Sequence, residues 1–333
     1  MRVGFAGFGN VGTALARLIL ERRGELRRRH DLEIDVTLLA SARRGALVEP
    51  AGLDLARALD AGWSSSLGPV DAIAAARLDL LFLATPLDPR TGEPGLALAR
   101  AALARGVSVV TADKGPVALA RRELQDLARS TGAGFRFESA VADCLPVFNL
   151  VETALPIGRI ASFRGILNST SNHVLAEMAR GGEADAAVAE MQRQGIAEAD
   201  PAYDLEGWDQ AVKAAILSDV LLDRVIRPEE VERTPLEAID AAWLRSETAA
   251  GRSVRLVAEG AREGSVRVAA TPLASGGFLA TLPGHSLGLT LHGEPAGTVG
   301  VFIVNPGVTQ TAYGMLADLM AIHAGRRILP EFS

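Results

Sequence analysis

With 333 residues, 48% of them hydrophobic and 22% charged, the chain exceeds the roughly 250–300 residues at which one core stops growing, so two domains are expected and extensive disorder is excluded. A formal net charge of −6, from 34 basic against 40 acidic residues, lacks the excess that grips a phosphate backbone and argues against a nucleic-acid partner. The single cysteine, Cys144, rules out an internal disulfide or thiolate metal cluster, and apolar runs such as 80–84 are far too short to span a membrane.

Met1-Arg2-Val3-Gly4-Phe5 enters a strand at once and leaves no room for a signal peptide, so a cytoplasmic protein is expected. The run 3–6 precedes Gly7-Phe8-Gly9-Asn10-Val11-Gly12, after which Ala14, Leu15, Leu18 and Ile19 recur at helical spacing. Strand, glycine turn and helix in that order predict a dinucleotide site on Gly7, Gly9, Asn10, Val11 and Gly12. The first glycine permits the tight turn, the second admits the pyrophosphate, and the third lets helix and strand pack closely. A second strand over 34–40 ends in Ser41-Ala42-Arg43-Arg44-Gly45. No acid stands there to hold a ribose 2′-hydroxyl. Arg43 and Arg44 are instead placed to meet a 2′-phosphate, which favours NADP, with NAD as the alternative if the arginines are only a solvated loop pair.

A strand over 78–84 leads into Thr85-Pro86, a turn-rich loop occupies 88–95, and a helix covers 96–104. The strand over 107–111 then delivers Ala112-Asp113-Lys114 at its carboxyl end, the edge at which open α/β sheets bind ligands, so Thr85 and Lys114 are assigned to the cofactor. Beyond 138 the alternation changes. Gly165-Ile166-Leu167-Asn168 runs into a helix that Ser169, Thr170, Ser171 or Asn172 would cap. Within 198–213 lie five acids, Glu198, Asp200, Asp204, Glu206 and Asp209, and then Lys213. From about Gly207 the pattern is helical, with Asp209 and Lys213 four apart on a face continued by Ile216, Leu217 and Val220. Strands follow over 160–167, 254–259, 266–271 and 287–291, and an apolar helix over 309–324. His30, His173, His285, His292 and His323 are scattered without metal spacing. The fold class read from this order is α/β, a Rossmann-type doubly wound parallel sheet (1–138 plus 301–333) with a second α+β substrate-binding and dimerisation domain (139–300).

One bias singles out two residues. Of the 34 basic residues, 32 are arginine, and only Lys114 and Lys213 are lysine. A generic surface position accepts either type, but only an ammonium can be desolvated into losing its proton near neutral pH. The two lysines are therefore the candidates for chemistry, expected to converge from separate lobes onto one pocket beside the acids.

The residues of the loop 89–95, Thr111-Ala112-Asp113-Lys114-Gly115-Pro116, the stretch 165–172, and Ala197-Glu198-Ala199-Asp200-Pro201 through Lys213 resemble homoserine dehydrogenase in order and spacing, in its short form without a regulatory domain. The resemblance spans nearly the whole chain. It implies NAD(P)-dependent interconversion of L-homoserine and L-aspartate 4-semialdehyde on the way to threonine and methionine. It also implies a homodimer, Lys114 and Lys213 as catalytic lysines, and Glu198, Asp204, Asp209, Asn168 and Thr170 around the substrate. A monovalent cation beside Glu138 and the backbone of Val141 is a further implication. The substrate's ammonium, carboxylate and terminal hydroxyl call for acids, a cation and a proton acceptor, which these residues supply. Asp209 is expected to hold Lys213 charged, leaving Lys114 the more easily deprotonated member.

Four places depart from the family pattern. Asp113 stands where asparagine is usual, and Asp143-Cys144 where two glycines precede a proline. Asn168-Ser169-Thr170 replaces asparagine-glycine-threonine, and Asn305-Pro306-Gly307-Val308-Thr309 keeps only the central Pro-Gly. A same-fold dehydrogenase for another amino-acid-derived alcohol or aldehyde, or a non-catalytic NADP-binding sensor, are the alternatives.

Overall fold

The computed structural model describes residues 1–61, 63–193 and 202–332. The chain divides into two compact units, one of residues 1–144 and 308–329, the other of 145–307 with the last residues from 330.

The first unit begins β1 (Arg2–Ala6), α1 (Asn10–His30), β2 (Asp35–Ser41), β3 (Gly45–Val48), α2 (Leu55–Ala61) and α3 (Pro69–Ala75). It continues β4 (Leu80–Leu83), α4 (Gly95–Leu103), β5 (Ser108–Thr111), α5 (Lys114–Thr131), β6 (Phe135–Arg136) and α6 (Ser139–Ala142). Its six strands lie in the order β3-β2-β1-β4-β5-β6, all neighbours parallel except β2 and β3. The order reverses between β1 and β4, which makes the carboxyl end of β1 the switch point where such sheets bind ligands. The strands read as continuous apolar runs because both faces are covered: Leu80, Leu81, Phe82 and Leu83 are all buried. An antiparallel hairpin closes the β2 side, and its turn contains Arg43 and Arg44.

The second unit carries α7 (Phe148–Ala154), β7 (Arg159–Ile166), α8 (Ser169–Ala179), α9 (Ala184–Arg193), α10 (Ala202–Leu205) and α11 (Trp208–Leu222). Then follow β8 (Glu232–Arg233), α12 (Ala241–Ala249), β9 (Ser253–Ala261), β10 (Val266–Leu273), β11 (Leu287–Glu294) and β12 (Gly297–Ile303). The sheet order is β12-β11-β7-β9-β10-β8, antiparallel except for the β8–β10 pair. Nearly all of α11 is buried, so this helix is the spine of the unit. Its first turn is pinned by Arg233, whose guanidinium stacks 3.6 Å from the Trp208 ring, a contact worth about 0.5–2 kcal/mol.

The last helix, α13 (Val308–His323), belongs to the first unit. Ala312, Met315, Leu316, Leu319 and Ile322 join Leu15 and Ile19 of α1 and Phe5 and Phe82 of the sheet in one core. Each fully buried side chain of this size contributes about 1.5–3 kcal/mol. A second tie is ionic. Arg136 and Asp318 pair at 3.4 Å, both essentially inaccessible, while the other Asp318 oxygen accepts the Glu138 N–H at 2.7 Å. Segment 139–144, expected with the substrate-binding domain, clusters with the first unit because α6 packs on α13. Segment 301–307, expected with the nucleotide domain, clusters with the second, where β12 pairs with β11.

Candidate active site

In the first unit, Gly7 and Phe8 both donate their N–H groups to Ala40 O, at 3.0 and 3.1 Å, which anchors the glycine turn on the end of β2. Gly7 has φ +89°, and a Cβ there would run into Ala84 O, so only glycine fits. A Cβ at Gly9, by contrast, would face open space. The N-terminus of α1 behind it has no side-chain cap and no acid in its first turn. Uncapped N–H groups and the positive end of a 21-residue helix fit a pyrophosphate, so Gly7, Gly9, Asn10, Val11 and Gly12 suit the nucleotide. The turn after β2 carries no carboxylate; Arg43 is exposed, and the Arg44 guanidinium lies 5.7 Å from the Trp63 ring centroid.

Lys114 is the first residue of α5, just past the carboxyl end of β5. Its position is set by a tight loop contact: a Cβ on Gly115 would come within 2.7 Å of Gly92 Cα, so the loop 88–95 closes directly over this turn. Asp113 caps α5, its Oδ1 accepting the Gly115 N–H at 2.9 Å, while its Oδ2 accepts the Thr85 hydroxyl at 2.5 Å. Burial pushes this carboxyl up to about 6, against the lowering effects of Thr85, Gly115 and the Lys114 charge. Thr85, assigned to the cofactor, therefore commits its hydroxyl proton to Asp113. Glu138 is buried just before α6, with Val141 in that helix. Among the described residues no group of three or more His, Cys, Asp or Glu could hold a metal ion.

Asp143 has φ 55° and ψ −119°, a conformation natural to glycine, and its Oδ1 accepts the Thr311 hydroxyl at 2.6 Å. The Cys144 thiol, half-buried beside this carboxylate, is pushed up by desolvation first and by Asp143 second.

The acid-rich array lies in the second unit. Lys213 Nζ is 2.7 Å from Asp209 Oδ2, one helical turn away, and donates to Leu167 O at 2.5 Å; both side chains are about 90% buried. Asn168 Nδ2 donates to Asp209 Oδ2 and to Asp204 Oδ1, each at 2.8 Å. The capping expectation shifts by one residue: Asn168 Oδ1, not residues 169–172, caps α8 by accepting the Ser171 N–H at 2.8 Å. Asn172 turns instead to β9, accepting the Leu256 N–H at 2.9 Å and donating to Leu256 O at 3.1 Å. Thr170 is buried in the first turn of α8. Glu198 and Asp200 lie outside the described residues. Gln210, which sequence reasoning passed over, donates to Ser171 Oγ at 3.1 Å; it sits beside Asp209 in a helix buried on nearly every side, where no polar face signals its role.

A family model described as homoserine dehydrogenase matches residues 146–320. The chain is 33% identical to the NAD(+)-dependent homoserine dehydrogenase of Pseudomonas canavaninivorans, over 97% of this chain and 96% of that protein. A putative homoserine dehydrogenase from Archaeoglobus fulgidus superposes with a TM-score of 0.87 at 29% identity, covering 97% of this chain and 99% of that one. A hyperthermophilic archaeal homoserine dehydrogenase mutant in complex with NADPH superposes with a TM-score of 0.83 at 26% identity, covering 100% and 99%. The chain belongs to the homoserine dehydrogenase family of NAD(P)-dependent oxidoreductases.

Proposed function

We propose that this chain interconverts L-homoserine and L-aspartate 4-semialdehyde in amino-acid biosynthesis, with Lys213 and Lys114 as its catalytic lysines. The observation that carries the reading is the buried Lys213–Asp209 pair joined through Asn168 to Asp204. An isolated surface pair contributes at most about 1 kcal/mol, and burying an ion pair often costs stability, so an array of this kind is more readily explained by function than by folding.

The chain's groups divide the work. Asp204, less buried than Asp209, supports the substrate ammonium, a task shared with Glu198. Lys213, held from two sides by Asp209 and Leu167 O, directs its remaining N–H at the substrate oxygen and stabilises alkoxide character there. Lys114 exchanges the hydroxyl proton. Bound nicotinamide supplies the hydride acceptor or donor. Gly7, Gly9, Asn10, Val11, Gly12 and Thr85 hold that cofactor, and Arg43 meets a 2′-phosphate, making NADP the preferred form. A homodimer in the cytoplasm completes the reading; the dimer is supported by the exposed Phe302 of edge strand β12, whose ring meets Phe278 edge-on with centroids 6.0 Å apart.

The test is absorbance-monitored NADPH oxidation with aspartate semialdehyde and NADP+ reduction with homoserine. Lys213→Arg and Lys114→Arg should each lose about a hundredfold or more in kcat; near-normal turnover in either refutes the role of that lysine. Because the chain has only two lysines, reductive methylation yields just two side-chain amine signals, so each ammonium can be titrated directly by NMR. Arg43→Ala should lower the NADP-to-NAD preference by about tenfold to a hundredfold, the worth of one charge-assisted phosphate contact.

A further inference from the structure

We infer that Asn168 is a positioning residue: its side-chain amide clamps Asp204 and Asp209 together and thereby sets both the ammonium-binding acid and, through Asp209, the Lys213 ammonium. The inference rests on the functional reading above and deepens it.

An asparagine side chain has two N–H donors and two acceptor lone pairs. All four are used inside the protein. The donors go to Asp204 Oδ1 and Asp209 Oδ2, and Oδ1 accepts both the Ser171 N–H and the Ser171 hydroxyl, at 2.8 Å in every case. The amide has only one workable orientation, since the flipped form would aim its oxygen at two carboxylates and its N–H groups at the Ser171 N–H. No hydrogen-bonding position is left for a substrate. The clamp is itself braced: Gln210 donates to Ser171 Oγ, and Asn168 O accepts from Asn172 Nδ2 at 3.1 Å. The preceding carbonyl, Leu167 O, takes the Lys213 ammonium. One turn of chain at the start of α8 thus fixes three charges that lie 36 to 46 residues further along.

Two like charges would repel across this gap. A neutral donor shared between them lets both stay ionised and close, which a substrate ammonium requires, and keeps Asp209 on the side of Lys213. Aspartate or serine at 168 would still cap α8, because each retains an oxygen for the Ser171 N–H. Neither can bridge the two acids, and aspartate adds a third negative charge. This separates a helix-capping role from a clamping role.

The experiment compares Asn168→Ser and Asn168→Asp with the wild type in kcat, KM for homoserine and the pH profile of kcat/KM. Asn168→Ser should raise KM about tenfold or more, as expected for loss of charge-assisted hydrogen bonds. Asn168→Asp should lose about a hundredfold in kcat/KM, with the acid limb of its profile moved upward by about one pH unit as three carboxylates share protons. If Asn168→Asp fails to fold, Asn168→Ser decides alone. Kinetics within threefold of wild type and an unmoved profile would overturn the clamp, as would a crystal structure of Asn168→Ser in which Asp204 and Asp209 keep their places. An inactive wild type would instead refute the functional reading, leaving that crystal structure to judge the clamp.

Discussion

Replacing Asp113 by asparagine should stabilise the protein at neutral and alkaline pH, although it removes a charge that faces a lysine. Asp113 is only 3% exposed, and burial raises its carboxyl from 3.8 to about 6. A folded-state value above the unfolded one means that the folded chain binds the proton more tightly. The corresponding stability is fully present below the unfolded value and is lost as pH rises through 6. At 1.36 kcal/mol per pH unit, a shift of about two units makes the ionised carboxylate cost about 3 kcal/mol at pH 8. Asparagine keeps the shape, accepts the Gly115 N–H and donates to Thr85 Oγ1, while forgoing the attraction to Lys114. The net expectation is a gain of about 2–3 kcal/mol at pH 8 that shrinks to nothing by pH 4. Urea unfolding of both proteins across that range reads the difference, following the transition that NADP+ moves upward so that the first unit is the one observed. An asparagine variant less stable at pH 8, or a difference that does not change with pH, would refute the burial argument.

Three further outcomes concern how the first unit holds its last helix. Gly314→Ala, which at an ordinary helix position gains up to about 1 kcal/mol, should cost about 1–3 kcal/mol here, because the new Cβ meets Ser139 Oγ, Asp143 O at 2.8 Å and Cys144 Cα at 3.1 Å; a raised melting temperature would disprove this. Thr311→Val should cost about 1–2 kcal/mol in the wild type and close to nothing in an Asp143→Gly background, so a double-mutant cycle without coupling would break the proposed compensation between the strained Asp143 backbone and the Thr311 hydroxyl. Asp318→Ala removes the carboxylate that pairs with the buried Arg136 and accepts the Glu138 N–H, and should cost about 3–5 kcal/mol by denaturant unfolding.

The parts legible in the sequence were those whose signal is local. The glycine turn is read from six consecutive residues because its chemistry is the conformation of those residues themselves. The Asp209–Lys213 pair is read from helical period, and the lysines stand out against 32 arginines. What escaped was set by distant partners. Nothing near residue 168 distinguishes a helix cap from a carboxylate clamp, since the acids it holds arrive 36 and 41 residues later. Strand β12 escaped for a different reason: Gly297-Thr298-Val299-Gly300-Val301-Phe302-Ile303 is an edge strand whose apolar face, Val299, Val301 and Ile303, is only half-buried, while Gly300 and the exposed Phe302 on the other face blur the alternation. The two-residue β8 is too short to carry a period at all.

The two aspartates that the family resemblance marks as departures, Asp113 and Asp143, show the same dependence on non-local partners. Aspartate at 143 adopts a glycine conformation and finds a hydroxyl on α13 to bind; aspartate at 113 sits in a dry site and finds Thr85 and an amide N–H. In each case the side chain that looks disruptive in one dimension is engaged by a donor from a remote segment, 168 residues away for Asp143 and 28 for Asp113. Such engagement makes the substitutions conditional: each aspartate is tolerable only while its donor is present. Removing the donors should therefore cost more than removing the acids, and that asymmetry is what would separate compensated substitutions from neutral drift at the same positions.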